Sequence, residues 1–208
     1  METGTVANKS FGTQLSGFWE YLLVAHPDAT VYAQVMSEKQ SFSAQYKEPI
    51  AIKTKPHITV ANFLAKEEME ETIIRWMHRI ISMQKSFRVT LDQYSGFKPH
   101  TIYLRVQDHQ PFQQLAKELK VVDQYVRSYG CPEMHLIKFP HLTIARRLPG
   151  NTYQQAITDY AQKSFHASFE VTDLVLLRRQ HQFDSCKQVN VFGLQPSPAL
   201  PGRDRVGY

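Results

Sequence analysis

Two stretches of this chain are near copies of each other, and any fold it adopts must house both. Residues 55–61 read K-P-H-I-T-V-A and residues 139–145 read F-P-H-L-T-I-A. Proline, histidine, an aliphatic, threonine, an aliphatic and alanine recur in that order, 84 residues apart. For this composition such a match has a chance frequency on the order of one in ten thousand. Alternation of polar and aliphatic residues is the period of a β-strand. The spacing therefore predicts that His57, Thr59 and Ala61 share one face while Ile58 and Val60 share the other. The same split sends His141 and Thr143 to one face and Leu142 and Ile144 to the core. A helix-like segment follows each copy, which points to a duplicated unit.

Two such strands facing each other would gather two imidazoles and two hydroxyls around one small volume. Imidazole titrates near pH ~6.5, so one ring can be neutral while the other carries a proton. One would take a proton from an attacking hydroxyl or water, and the other would protonate the leaving oxygen. Thr59 and Thr143 would donate hydrogen bonds to non-bridging phosphate oxygens, where charge builds up. The constellation suits phosphodiester chemistry. A single histidine of this kind is more often structural, and threonine is common on strands for its β-propensity alone. The matched pair is what gives all four residues a catalytic reading.

Around the repeats, strand-like and helix-like periods alternate. Residues 18–25 read as a strand stopped by Pro27, 28–46 as a helix and 55–63 as a strand. Residues 66–84 carry Met69, Ile73, Met77 and Ile80 at helical spacing, with an acidic first turn and basic later turns. Residues 87–92 and 101–106 read as strands joined through Gly96. Pro111 opens one helix with the stripe Phe112, Leu115, Leu119, Val122, Val126, Tyr129, ended by Gly130 and Pro132. A strand over 139–146 follows, then a helix capped by Asn151 with Tyr153, Ile157 and Tyr160 inward. Strands near 168–171, 174–179 and 188–194 close an α+β chain. One ordered body is expected over 18–194, between a flexible polar segment 1–17 and a flexible Pro/Gly-rich tail 195–208.

The net charge of +5, from 24 basic and 19 acidic residues, fits a nucleic-acid or phosphate ligand. No apolar run approaches the roughly 18 residues of a membrane span, and residues 1–10 lack the apolar core of a secretory signal. A cytoplasmic protein without a membrane partner is expected. Cys131 and Cys186 form no CxxC pair and are expected as reduced thiols. His135 and His141 lie six apart with no third ligand at plausible spacing, so neither a metal site nor a cofactor is expected.

With both motifs in hand, the sequence resembles the 2H phosphoesterase superfamily, whose signature is two His-x-Thr motifs on paired strands, and within it the 2′-5′ RNA ligase-like branch. The resemblance runs from about residue 21 to 194 and includes the stretches LLVAHPDA, GFKPHTIYLRV, PFQQLAKEL and SFEVTDLVLLRR. It implies two pseudo-twofold-related lobes, each an antiparallel sheet backed by helices, around a central cleft. It also implies metal-independent opening of RNA 2′,3′-cyclic phosphate ends to 2′-phosphomonoesters, or ATP-independent 2′-5′ joining of RNA. RNA ends or cyclic nucleotides are then the partners, and the chain is expected to act as a monomer.

Under this resemblance His57, Thr59, His141 and Thr143 are the catalytic residues. Arg146, three positions after Thr143, is a candidate phosphate ligand. The first copy has Asn62 there, so phosphate recognition is expected to be asymmetric. Tyr103, on a face with Thr101 and Arg105, and Phe97 are candidate platforms for a base. His26, His78, His100, His109, His135, His166 and His181 fit no pattern and receive no role. Two other readings compete. One is a 2H enzyme for a small diester such as ADP-ribose cyclic phosphate or a 2′-5′ oligoadenylate. The other is a non-catalytic RNA-binding module, which would show steep salt dependence and no turnover.

Overall fold

The computed structural model describes residues 17–180 and 184–197. Most of the two expected end segments, and His181, lie outside the described residues. The strands are β1 (Phe18–Ala25), β2 (Ile58–Lys66), β3 (Phe87–Phe97), β4 (Thr101–Val106), β5 (His135–Leu136), β6 (His141–Ala145), β7 (His166–Val171), β8 (Asp173–Arg179) and β9 (Lys187–Gly193). The helices are α1 (Ala29–Tyr46), α2 (Glu70–Ile81), α3 (Gln110–Glu118), α4 (Lys120–Ser128) and α5 (Gly150–Tyr160). Asp28 starts α1 by accepting the Val31 N–H at 2.8 Å on its Oδ1, which satisfies one of the free amides of the first turn. No helix among the described residues is long and apolar enough to cross a membrane.

The α+β class is as expected, and the strands form one antiparallel sheet in the order β7-β3-β4-β6-β2-β1-β8-β9, with β5 alongside β2. Each motif strand leads its own half: β2-β1-β8-β9 on one side and β6-β4-β3-β7 on the other. The halves join through a single residue pair, Ile58 with Leu142. Helices cover the sheet face that carries Leu23, Ile58, Phe63, Leu104 and Leu142, all of which are buried in one continuous core. The opposite face of β2 and β6 is left for the motif side chains.

The same irregularity recurs after both motifs. Val24 pairs with Thr59 and Leu23 with Ala61, so Val60 is an extra residue in β2. Tyr103 pairs with Thr143 and Ile102 with Ala145, so Ile144 is the extra residue in β6. A bulge bends its strand and re-aims the side chains beyond it. Simple alternation puts Ala61 on the face of His57 and Thr59. The bulges instead turn Ala61 and Ala145 into the core, at 0% and 1% exposure.

Other departures are local. Gly96 is not a turn: β3 runs through it to Phe97. A Cβ at Gly96 would lie 2.7 Å from the Tyr153 hydroxyl and 2.9 Å from Ile157 Cδ1, so the glycine lets α5 pack directly on the strand. The helix expected over 111–129 breaks at Leu119 into α3 and α4, and Tyr129 leaves the stripe with 52% exposure. Helix α5 begins at Gly150 with Pro149 as its cap, so Asn151 lies inside it. Gln195, assigned to the tail, accepts from Ser86 N–H at 2.7 Å and donates to the Gln84 carbonyl at 2.8 Å.

Candidate active site

The geometry of the site follows from the pair that joins the two halves. Ile58 and Leu142 are partners in antiparallel strands. Extending that register by one residue each way sets His57 across from Thr143, and Thr59 across from His141. The structure thus brings the two motifs together on the side of the sheet away from the core. All four side chains belong to residues of intermediate exposure.

The prolines have a role in this. Pro56 and Pro140 restrict Lys55 and Phe139 to extended backbone, and the chain then folds so that each histidine meets the carbonyl two residues before it. His57 Nδ1 lies 2.7 Å from the Lys55 carbonyl, and His141 Nδ1 lies 3.1 Å from the Phe139 carbonyl. A carbonyl only accepts, so Nδ1 carries the hydrogen in both rings. Each neutral ring keeps its Nε2 lone pair for a ligand.

The two imidazoles differ in electrostatic setting. Burial pushes His57 down to about 4. The Lys55 carbonyl opposes this, and the nearby His26, Lys39 and Arg146 push further in the same downward direction. Burial also lowers His141, opposed by the Phe139 carbonyl. Arg105, across from His141 in the register, turns instead to Asp92, with 3.7 Å between charged groups. With both pKa values below the usual 6.5, both rings are neutral at pH ~7 in the free protein.

Lys39 is a site residue that lies outside both motifs. Its side chain is buried at 1% exposure, and Nζ donates to the Thr143 carbonyl at 3.0 Å and the Ile144 carbonyl at 3.1 Å. The ammonium thus holds the bulge of the second motif from beneath, with Thr54 Oγ1 at 3.4 Å. Burial, and secondarily the charge of Arg146, pushes Lys39 down to about 8. The first bulge uses backbone for the same purpose: the Val60 carbonyl accepts the Ile137 N–H at 2.9 Å. A sequence signal for Lys39 did exist, since Val31, Val35, Lys39 and Phe42 occupy the buried stripe of α1.

The positions after the two bulges are not equivalent. Asn62 donates through Nδ2 to Glu20 at 3.0 Å, and Glu20 is held by Arg179 through bonds of 2.6 and 2.9 Å. Arg146 has a buried Nε without a hydrogen-bond partner among the described residues. Burial lowers its pKa, and Arg147 and Arg179 add to the effect. An anion bound here would relieve that crowding of positive charge.

Phe97 and Tyr103 stack on each other at 4.3 Å between centroids, and the His141 ring lies 4.8 Å from Phe97 and 5.0 Å from Tyr103. A cleft of about 660 Å³ opens beside them, lined among others by Arg105, His109, Phe139 and His141. It lies on the His141 side of the paired motifs. Two histidines without an assigned role also sit at the site. His26 is 6.3 Å from His57, and His109 is 5.8 Å from Phe139. His26 follows directly after β1, and the pairing of β1 with the first motif strand is what brings it to the site.

Comparison with known proteins fits this arrangement. The family model described as the 2′-5′ RNA ligase superfamily matches residues 27–182. A protein of Geobacillus thermodenitrificans (strain NG80-2) named "Putative phosphoesterase" is 31% identical over 121 residues, which cover 56% of this chain and 65% of that protein. The match therefore spans just under two thirds of that relative. TT0787 of Thermus thermophilus has the same fold with a TM-score of 0.64 at 17% identity, over 85% of this chain and 98% of that one. E. coli LigT in its apo form gives a TM-score of 0.60 at 20% identity, over 86% and 99%. LigT is also known in complexes with 3′-AMP and with ATP.

Proposed function

Because the chain belongs to the 2′-5′ RNA ligase superfamily, we propose that it is a phosphodiesterase that opens RNA 2′,3′-cyclic phosphate ends by two-histidine acid/base catalysis. The observation that carries this reading is the Ile58–Leu142 pair; extended by one residue each way, its register sets an imidazole against a hydroxyl in each direction. The nucleotides in the LigT complexes support a ligand of this class.

In the proposed reaction the phosphate lies between the two rings. His57 Nε2 takes a proton from water, and the water oxygen bonds to phosphorus. The P–O3′ bond breaks, and His141 Nε2 gives its proton to O3′. The products are a 2′-phosphomonoester and a free 3′-hydroxyl. His57 ends protonated and His141 neutral, and exchange with solvent resets both. Thr59 and Thr143 donate to the non-bridging oxygens, and Arg146 balances their charge. An RNA 5′-hydroxyl in place of water would yield a 2′-5′ linkage with the same groups.

The division of labour rests on charge. Burial, and after it the charges of His26, Lys39 and Arg146, disfavours the protonated form of His57, whereas burial opposed by the Phe139 carbonyl sets the lowering at His141. A bound phosphate anion raises the pKa of the imidazole beside it, which lets His141 hold the proton that it delivers.

The test is hydrolysis of a cytidine 2′,3′-cyclic phosphate end in EDTA. The expected result is full turnover to the 2′-phosphomonoester alone. A 3′-phosphomonoester product, or activity lost on chelation and restored by a divalent cation, would overturn the reading.

A further inference from the structure

Phe139 stands out as a large apolar side chain that is 57% exposed inside the cleft. Its place in the first motif is taken by Lys55, so the strand does not require an aromatic there. The backbone around it is fixed. Its carbonyl accepts from His141 Nδ1 at 3.1 Å, and the preceding Lys138 carbonyl accepts from Gln113 Nε2 at 3.4 Å. His109 braces the ring edge-on, 5.8 Å between centroids at 84°, while its own Nε2 is tied to the Val106 carbonyl at 3.0 Å.

The cleft is ordered along β4. Tyr103 is across from Thr143, Arg105 is across from His141, and Gln107 and His109 follow beyond. From Tyr103 to Val106 the strand advances about 10 Å at its ordinary rise, and the chain continues to His109. His141 therefore lies between two aromatic surfaces, Phe97 with Tyr103 on one side and Phe139 with His109 on the other. The lining carries Arg105, His109 and His141 against one carboxylate, Asp92, which is already engaged by Arg105 and lies 3.4 Å from His166. This setting suits a chain of phosphates and bases.

We propose that Phe139, braced by His109, is a stacking platform for a second nucleotide, the neighbour of the one that bears the reacting phosphate, so that the substrate is an RNA end and not a free cyclic mononucleotide. The proposal rests on the phosphodiesterase reading and specifies its substrate class. Aromatic stacking tolerates any base, so the platform selects for length and not for sequence.

The experiment compares kcat/KM for cytidine 2′,3′-cyclic phosphate with that for a dinucleotide ending in the same group, in wild type, Phe139→Ala and Phe139→Tyr. Wild type is expected to favour the dinucleotide. Phe139→Ala is expected to lower the dinucleotide-to-mononucleotide ratio by about 5- to 150-fold, the range that loss of one base stack implies, and Phe139→Tyr is expected to restore it. A wild-type ratio near one, or a ratio that survives Phe139→Ala, would overturn the proposal. The same comparison is made by Kd, with cytidine 2′-phosphate and a dinucleotide carrying that terminal 2′-phosphate. If wild type turns over neither cyclic phosphate, the catalytic reading fails while the ratio of Kd values still decides the platform.

Discussion

Replacing His57 or His141 by alanine is expected to lower kcat on a 2′,3′-cyclic phosphate by about 10²- to 10⁴-fold each, the usual contribution of a positioned acid or base. The double variant is expected to fall little below the worse single one, because the two groups act in one step. KM should move much less than kcat, since Thr59, Thr143, Arg146 and the aromatic wall remain. The pH dependence follows from the shifts of the free protein. Productive enzyme needs His57 neutral and His141 protonated. His57 lies at about 4 and His141 below its ordinary value. The kcat/KM is therefore expected to peak below pH ~6.5 and to decline as pH rises through the His141 value. In the complex the phosphate charge raises that value, so the basic limb of kcat lies at higher pH. The residual activity of His141→Ala should lose the basic limb, and that of His57→Ala the acidic one. Either variant retaining full activity would contradict the account.

Lys39→Met is expected to damage stability and catalysis together. It removes the donor for two buried carbonyls, those of Thr143 and Ile144, and each unpaired group costs about 1–3 kcal/mol. Relief from burying an ammonium offsets part of this, because a lone buried charge is itself unfavourable. A net loss of about 2 kcal/mol corresponds to a Tm lower by about 4–8 °C for a chain of this size. The catalytic effect comes from the bulge, which aims Thr143 and leads into Arg146. A displacement of about 1 Å at such a position can cost as much as 100-fold, so kcat is expected to fall by about 10- to 100-fold at temperatures where the variant is folded. Lys39→Arg keeps a donor and should recover part of both losses. An unchanged kcat in folded Lys39→Met would show that the bulge holds its shape without the ammonium.

How much of this could be read from the sequence depended on which interactions carry a period. The His-x-Thr pairs are legible because strand alternation forces alternate residues to one side; the strand starts are less so, since the expected 55–63 and 139–146 begin before the prolines while β2 and β6 begin at Ile58 and His141. The α+β alternation was visible for the same reason, through stripes such as Met69, Ile73, Met77 and Ile80. The bulges at Val60 and Ile144 were not visible, since a bulge depends on the partner strand and leaves no mark in its own residues. Ala61 therefore lies in the core and not on the face of His57 and Thr59. Lys39 did leave a mark, a cation inside an apolar stripe, but its meaning depends on carbonyls more than a hundred residues away. His26 and His109 carry no signal in the sequence, because the approach of His26 to Pro56 and His57 and the bracing of Phe139 by His109 are tertiary facts. Gly96 reads as a turn residue in the sequence, but its absent side chain makes room for the Tyr153 hydroxyl, a neighbour that only the fold supplies.

The most direct test of the central claim is a crystal structure of the protein with adenosine 2′-monophosphate, the product form of a cyclic phosphate end. The account predicts a phosphate with oxygens within hydrogen-bond distance of His57 Nε2 and His141 Nε2 and of both threonine hydroxyls, with the adenine against Phe97 and Tyr103. A phosphate bound away from the paired motifs, or contacted by only one of the two histidines, would contradict it.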